Sequence, residues 1–173
     1  MYQAAVAVHI LSAVVWLGGM LFLLLVMIPI ARGEMRSGGT GQGLEVLRDA
    51  AERFLPVAWT AMFLLAISGV YIAWEHYGVR PDTFFSDGSH FLFGSRFMKI
   101  MQVKTGLFLF VVVLSLLHDF WLGPKIMEWL DAARAAGQTL PQSLTRKFVR
   151  MVAMVNLSVA LTIVVLAVWL IRP

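Results

Sequence analysis

Residues 4–30 read AAVAVHILSAVVWLGGMLFLLLVMIPI, a run in which His9 is the only titratable side chain. A hydrocarbon core about 30 Å thick needs about 20 apolar residues as helix, so the run is long enough to cross it. It has no basic lead and no small-residue cleavage site, and it is too long for the apolar part of an export leader, so it is expected to stay as a helix. Three further runs, 55–75, 99–123 and 148–171, have the same character. The 173 residues are 60% hydrophobic with a mean hydropathy of +0.80, which excludes an ordinary soluble domain. The expected fold is all-α: an integral membrane four-helix bundle forming a single domain over residues 1–173.

The charges report on topology. The net charge is +4 and the isoelectric point 9.9. In a soluble chain that balance would suggest nucleic acid, but here the cations mark loops. Arg32, Arg36, Arg48 and Arg53 fall in the first connection, and Lys125, Arg134, Arg146, Lys147 and Arg150 in the third. The second holds Arg80 and Arg96, with Lys99 at its edge, and the N-terminal end holds none. Connections one and three are therefore expected in the cytoplasm, with both termini on the outer side. No nucleic-acid partner is expected.

The connections have their own patterns. RGEMRSGGTGQG, residues 32–43, reads as flexible, and LEVLRDAAERFLP, residues 44–56, as a short interfacial helix running into the second span. In the third connection Ile126, Trp129, Leu130 and Ala133 form an apolar stripe ended by Gly137 and Pro141. The second places Phe84, Phe85, Phe91 and Phe93 among turn residues. Those rings read either as an interfacial aromatic belt or as a lid over a bound molecule.

Side chains that are costly to place in lipid carry the functional information. Four stand out: His9, Lys104, His118 and Asn156. At a helical rise of about 1.5 Å per residue, His9 and Lys104 each lie about 9 Å in from the outer side, whereas His118 lies about 30 Å along the third helix, at the cytoplasmic boundary. At about 100° per residue, His9, Ser12, Ala13, Trp16, Gly19 and Met20 share one face, small enough in places for a flat ring or another backbone to approach. Lys104, Phe108, Val111, Ser115 and His118 form a second stripe, with Met98 and Met101 above Lys104.

Each of these residues also has a structural reading. His9 could bond a serine or carbonyl of a neighbouring helix, Lys104 could extend to the interface, His118 could sit wet at the boundary, and Asn156 could bridge helices. Against this, Lys104 at that depth needs an anionic partner to keep its charge, and no Asp or Glu is read within the outer halves of the four runs. A porphyrin propionate would supply that partner; alternatively a neutral amine would ligate iron. The chain has no cysteine, which excludes disulfides, thiolate zinc sites, iron–sulfur clusters and covalent haem attachment.

Taken in order, HILSAVVWLGGMLFLLLVMIP, LLAISGVYIAW, VKTGLFLFVVVLSLLHDFWLGPK and KFVRMVAMVNLSVALTIVVLAVWLIRP resemble the CopD/HemJ group of four-helix bacterial membrane proteins over nearly the whole chain. The shared positions are His9, Trp16, Gly18 or Gly19, Gly69, Lys104, His118 and Asn156. The chain departs from the HemJ pattern in having MIPIAR where that group has Leu-Pro-Arg, and Leu157 where it has Glu after the Asn. The HDFWLGPK segment leans toward CopD-like relatives.

The resemblance implies a multi-pass protein of the bacterial inner (cytoplasmic) membrane with a haem b or copper site around His9. In the haem reading His9 is an axial ligand, Lys104, His76 or His90 supplies the second ligand or binds propionates, and Trp16 and Gly19 pack on the macrocycle. The work would then be electron transfer or porphyrin oxidation, the latter an oxidoreductase activity of the protoporphyrinogen oxidase kind, at the outer half of the membrane. In the copper reading, His9, His76 and His90 with Met98 and Met101 bind Cu(I). A third reading is a subunit of a respiratory complex without chemistry of its own. His118 is a candidate second metal site. The expected partners are the lipid bilayer and a porphyrin or redox partner, with a homo-oligomer or a respiratory complex as the assembly.

Overall fold

The computed structural model describes residues 1–36, 42–85, 94–122, 125, 128 and 142–171, and all regular structure among them is helical. The chain groups into two compact units, Met1–Phe85 and Ser86–Pro173. The first holds α1 (Tyr2–Phe22), a π-helical turn (Leu23–Met27), α2 (Ile28–Arg36), α3 (Gln42–Glu75) and the short α4 (Pro81–Phe84). The second holds α5 (Gly94–Leu117), a π-helical turn (His118–Leu122) and α6 (Gln142–Ile171).

Three stretches, Tyr2–Ala31, Glu45–Glu75 and Arg96–Trp121, are long and apolar enough to cross a membrane, and α6 contains the shorter apolar stretch Met154–Leu170. Ile10, Leu11, Val14, Phe22, Leu25, Phe63, Ile67, Val70, Leu109, Phe110 and Val113 are exposed along these helices. An apolar exterior of this extent suits lipid, because the helices satisfy their own backbone and leave only side chains to meet the solvent. The protein is an all-α, multi-pass membrane protein.

Prolines shape α1 and α3 of the first unit. Pro29 cannot donate to the Leu25 carbonyl and its ring crowds that position, so the helix widens over Leu23–Met27, ending two residues before the proline. The turn His118–Leu122 stands at the same offset before Pro124. In α3 the ring lies inside the helix at Pro56, and the Thr60 hydroxyl donates to the Pro56 carbonyl at 2.8 Å.

The expected interfacial helix at 44–56 and the second span are one continuous helix, α3, of 34 residues. At about 1.5 Å per residue it exceeds the hydrocarbon core. Its charged N-terminal third carries the excess, with Arg48 bonded to Glu52 at 2.8 Å. Of the flexible stretch expected at 32–43, the residues through Arg36 and from Gln42 onward are helical, and 37–41 lie outside the described residues. The stripe expected at 126–133 lies outside the described residues, apart from Glu128, which is helical.

Antiparallel pairing of α1 with α3 organises the first unit. The Tyr2 ring stacks on His76 at 4.0 Å between centroids, His9 meets Ser68 and Gly69, and Gly19 faces Phe54. Numbers rise along α1 as they fall along α3. The buried faces match this arrangement: Ser12 and Trp16 on α1, and Ala61, Met62, Leu65 and Ser68 on α3. Gly78, with φ of +66°, turns the chain away after α3, and its amide and that of Val79 bond the Trp74 and Ala73 carbonyls.

Candidate functional site

His9 sits half-buried in the α1/α3 seam, with its Nδ1 2.9 Å from the Ser68 hydroxyl oxygen. Ser68 is 5% exposed, and its own hydroxyl donates back to the Leu64 carbonyl one turn earlier in α3. That is the usual outlet for a serine inside a membrane helix. The same hydroxyl also lies 3.3 Å from the Leu65 carbonyl, so Ser68 ties the ring of His9 to the preceding turn of α3.

Gly69 completes the seat. A Cβ there would lie 3.2 Å from His9 Cε1 and 3.6 Å from Nδ1, so the α3 backbone itself lines the edge of the ring. Trp16, two turns along α1 from His9, is buried at 6% exposure. Gly19, on the same face, has a definite neighbour: a Cβ at that position would run into the Phe54 ring. Gly18 has open space where a side chain would be.

The remaining sequence candidates are distributed. His76 is exposed at the end of α3, stacked on Tyr2 and edge-on to Tyr77 with centroids 4.9 Å apart. Burial and the neighbouring Tyr2 phenol raise the Tyr77 phenol above its ordinary value. His76 therefore belongs to an aromatic cluster about two helical turns from the level of His9. His90 lies outside the described residues.

In the second unit, Lys104 is half-buried on the α5 face that also carries buried Met98, Val111 and Ser115, with Phe108 half-buried between them. The expected stripe is thus the inward face of α5. His118 opens the π-helical turn that follows, and its Nδ1 is 2.9 Å from the Asp119 carboxylate. Lys125 lies over the Trp121 ring at 4.7 Å. Asn156 is half-buried in α6. Among the described residues, no three of His, Asp and Glu come together as a metal-binding group.

Ser68, Asp119 and Phe54 were not singled out by the sequence. Ser68 and Asp119 each supply the Nδ1 partner of a histidine, and Phe54 fills the gap over Gly19. The Ser68-Gly69 step opposite His9 carried a signal for the first of these, since small residues let two backbones close on an imidazole.

Comparison with known proteins follows from here. Residues 48–170 match the family described as copper resistance protein D. The chain belongs to this family. The CopD match covers α3 from Arg48 and nearly all of the second unit, while His9 lies N-terminal to it. A curated relative, an uncharacterized protein of Aquifex aeolicus (strain VF5), is 30% identical over 120 residues, covering 69% of this chain and 68% of the relative. No solved structure matches the chain.

Proposed function

We propose that this CopD-family membrane protein holds haem b on His9 Nε2 and serves electron transfer or porphyrin oxidation in the outer half of the bacterial inner membrane. The observation that supports the reading is the braced imidazole. A histidine held by Ser68 at Nδ1 and lined by Gly69 has its ring orientation fixed between α1 and α3. One such histidine fits the axial-ligand role, and Lys104, expected from the sequence at the same depth, is kept as its companion, as second ligand or as the cation for a propionate. Trp16 and the apolar helix faces would keep water from the group. Haem, when bound, supplies the one-electron chemistry.

In this reading the chain holds, orients and insulates. α1 carries no acidic residue, and His9 Nδ1 faces the Ser68 oxygen. His76 and His90 are kept as alternative second ligands, and His118, with Asp119 behind it, as a second metal site. The proposed assembly is a homo-oligomer or a respiratory complex.

A second reading, copper binding or uptake, is favoured by the family description. It would use the same His9 nitrogen together with thioethers such as Met98 and Met101. One sample separates the two readings. The full chain, purified from cells supplied with haem precursor and copper, is scanned with and without dithionite and analysed for iron and copper. A Soret band that shifts on reduction is expected. Its absence would falsify the haem reading, and copper at one or more per chain without iron would establish the second.

A further inference from the structure

We infer that a second copy of this chain docks on the lipid-facing groove between α1 and α3, so that the two α1 helices lie side by side. The inference makes the homo-oligomer definite among the proposed assemblies and does not depend on a cofactor at His9. Three observations in the first unit carry it: a groove, an exposed seam along α1 beside it, and the open space over Gly18.

The groove, about 420 Å³, is bounded by Leu11, Ser12 and Val15 of α1 and by Val57, Thr60 and Leu64 of α3. All of these are exposed except Ser12, which at 6% exposure lies deepest. In a bilayer the groove must be filled, because a void forfeits the contacts of its lining. An acyl chain would fill the volume but has no polar atom for the Ser12 hydroxyl, which makes no hydrogen bond among the described residues. A protein helix carrying hydroxyls such as those of Ser12 and Thr60 can supply one.

A second copy is favoured over a foreign helix because α1 carries both halves of the joint. Ala4, Val8, Leu11, Val15, Gly18 and Phe22 recur at alternating spacings of four and three, as in a coiled-coil seam, and all six are exposed. Every stripe of so apolar a helix is hydrophobic, so composition alone does not select this one. Its relief does, because a knob needs a hole formed by four residues of the facing helix. Val8, Leu11, Ser12 and Val15 make one such set, and Leu11, Val14, Val15 and Gly18 the next. Each has one short corner, and a Cβ added at Gly18 would meet nothing within 4 Å. Leu11, 62% exposed, and Val15 stand out as the knobs. Copies inserted in the same direction bring these sets to equal depth, so a two-fold axis along the membrane normal matches knob to hole on both sides. α1 has no Asp, Glu, Lys or Arg to oppose the approach.

The chain has no cysteine, so single cysteines read the contact directly. Leu11→Cys, Val15→Cys and Gly18→Cys are oxidised in native membranes beside Ile10→Cys and Phe63→Cys, which are comparably exposed but lie off the seam. A disulfide-linked dimer is expected several-fold more strongly at the three seam positions than at the two controls. The second readout is the mass of the full chain in detergent by light scattering. Gly18→Leu enters space that the α1/α3 pair leaves open, so each copy should stay folded while self-association weakens by about tenfold. Equal bands at seam and control positions report random collision and overturn the inference, as does the absence of any band. A wild-type monomer, or a dimer that Gly18→Leu leaves unchanged, does the same. The occupant is identified with a benzophenone amino acid in place of Val15: an adduct of twice the chain mass supports the second copy, whereas an adduct to lipid or within one chain overturns it. Should Gly18→Leu fail to fold, the cysteine series and the adduct decide. None of these readouts involves a cofactor, so failure of the haem reading leaves them intact.

Discussion

Gly69 and His9 are fitted edge to backbone: a Cβ added at position 69 would stand 3.2 Å from the His9 Cε1 atom, closer than a ring and a methyl normally rest. The helices approach here because residue 69 has no side chain, and that approach places Ser68 within reach of Nδ1. Gly69→Ala must push the ring by a few tenths of an ångström. Overpacking of this kind costs about 1–3 kcal/mol. The expected result is a lower melting temperature in detergent and a weakened cofactor band, with the stability loss largely absent when Gly69→Ala is made in His9→Ala. An equal loss in both backgrounds would show that the ring is not what Gly69 accommodates.

Gly19 makes a parallel case at the other end of the pair. The Phe54 ring occupies the space over it, so Gly19→Ala should destabilise the α1/α3 pair by about 1–3 kcal/mol. Phe54→Ala alone leaves a cavity, but combined with Gly19→Ala it should recover part of the loss, because the two changes are complementary. A double-mutant cycle measured by thermal unfolding reads the coupling. Additive penalties would remove Phe54 as the reason for the glycine.

Much of this was legible in the sequence because lipid simplifies the code. Length and hydropathy place the long helices, and the buried faces of α1 and α5 follow from period alone: Ser12 with Trp16, and Val111 with Ser115. Contacts across helices were less legible, since periodicity gives a face but not the neighbour it meets. Gly19 read equally well as a cofactor wall, yet its space is held by a ring from α3. The widened turn before Pro29 was also unread, because an apolar run shows no break when a proline is absorbed by one larger turn.

His9 and His118 should separate in the optical spectrum. His9→Ala removes the proposed ligand and is expected to abolish the Soret band, whereas His118→Ala, changed in a turn that starts fourteen residues beyond Lys104, should leave most of it. Equal loss from the two variants would place His118 at the same centre and refute the separation by depth.

The Tyr2–His76–Tyr77 cluster gives a pH dependence. Folding raises the Tyr77 phenol above its ordinary value of 10.0 through burial and the Tyr2 phenol beside it. A raised folded value means that the folded state holds its proton longer than the unfolded chain does. The contribution is fully present below about pH 10 and is lost as pH rises through the folded value. The melting temperature should therefore hold to about pH 10 and decline above it, with a shallower decline in Tyr77→Phe. Identical profiles for the two proteins would dissociate Tyr77 from the decline.

Topology can be tested cleanly because the chain contains no cysteine. Asp82 in α4 and Glu52 in α3 are exposed and lie beyond opposite ends of the apolar part of α3. The cations of the first and third connections put Glu52 on the cytoplasmic side and Asp82 outside. In intact spheroplasts a membrane-impermeant maleimide should label Asp82→Cys and spare Glu52→Cys until the membrane is opened. The reverse pattern would invert the whole chain and move His9 to the cytoplasmic half. Equal labelling of both sites in intact cells would mean that α3 does not span the membrane.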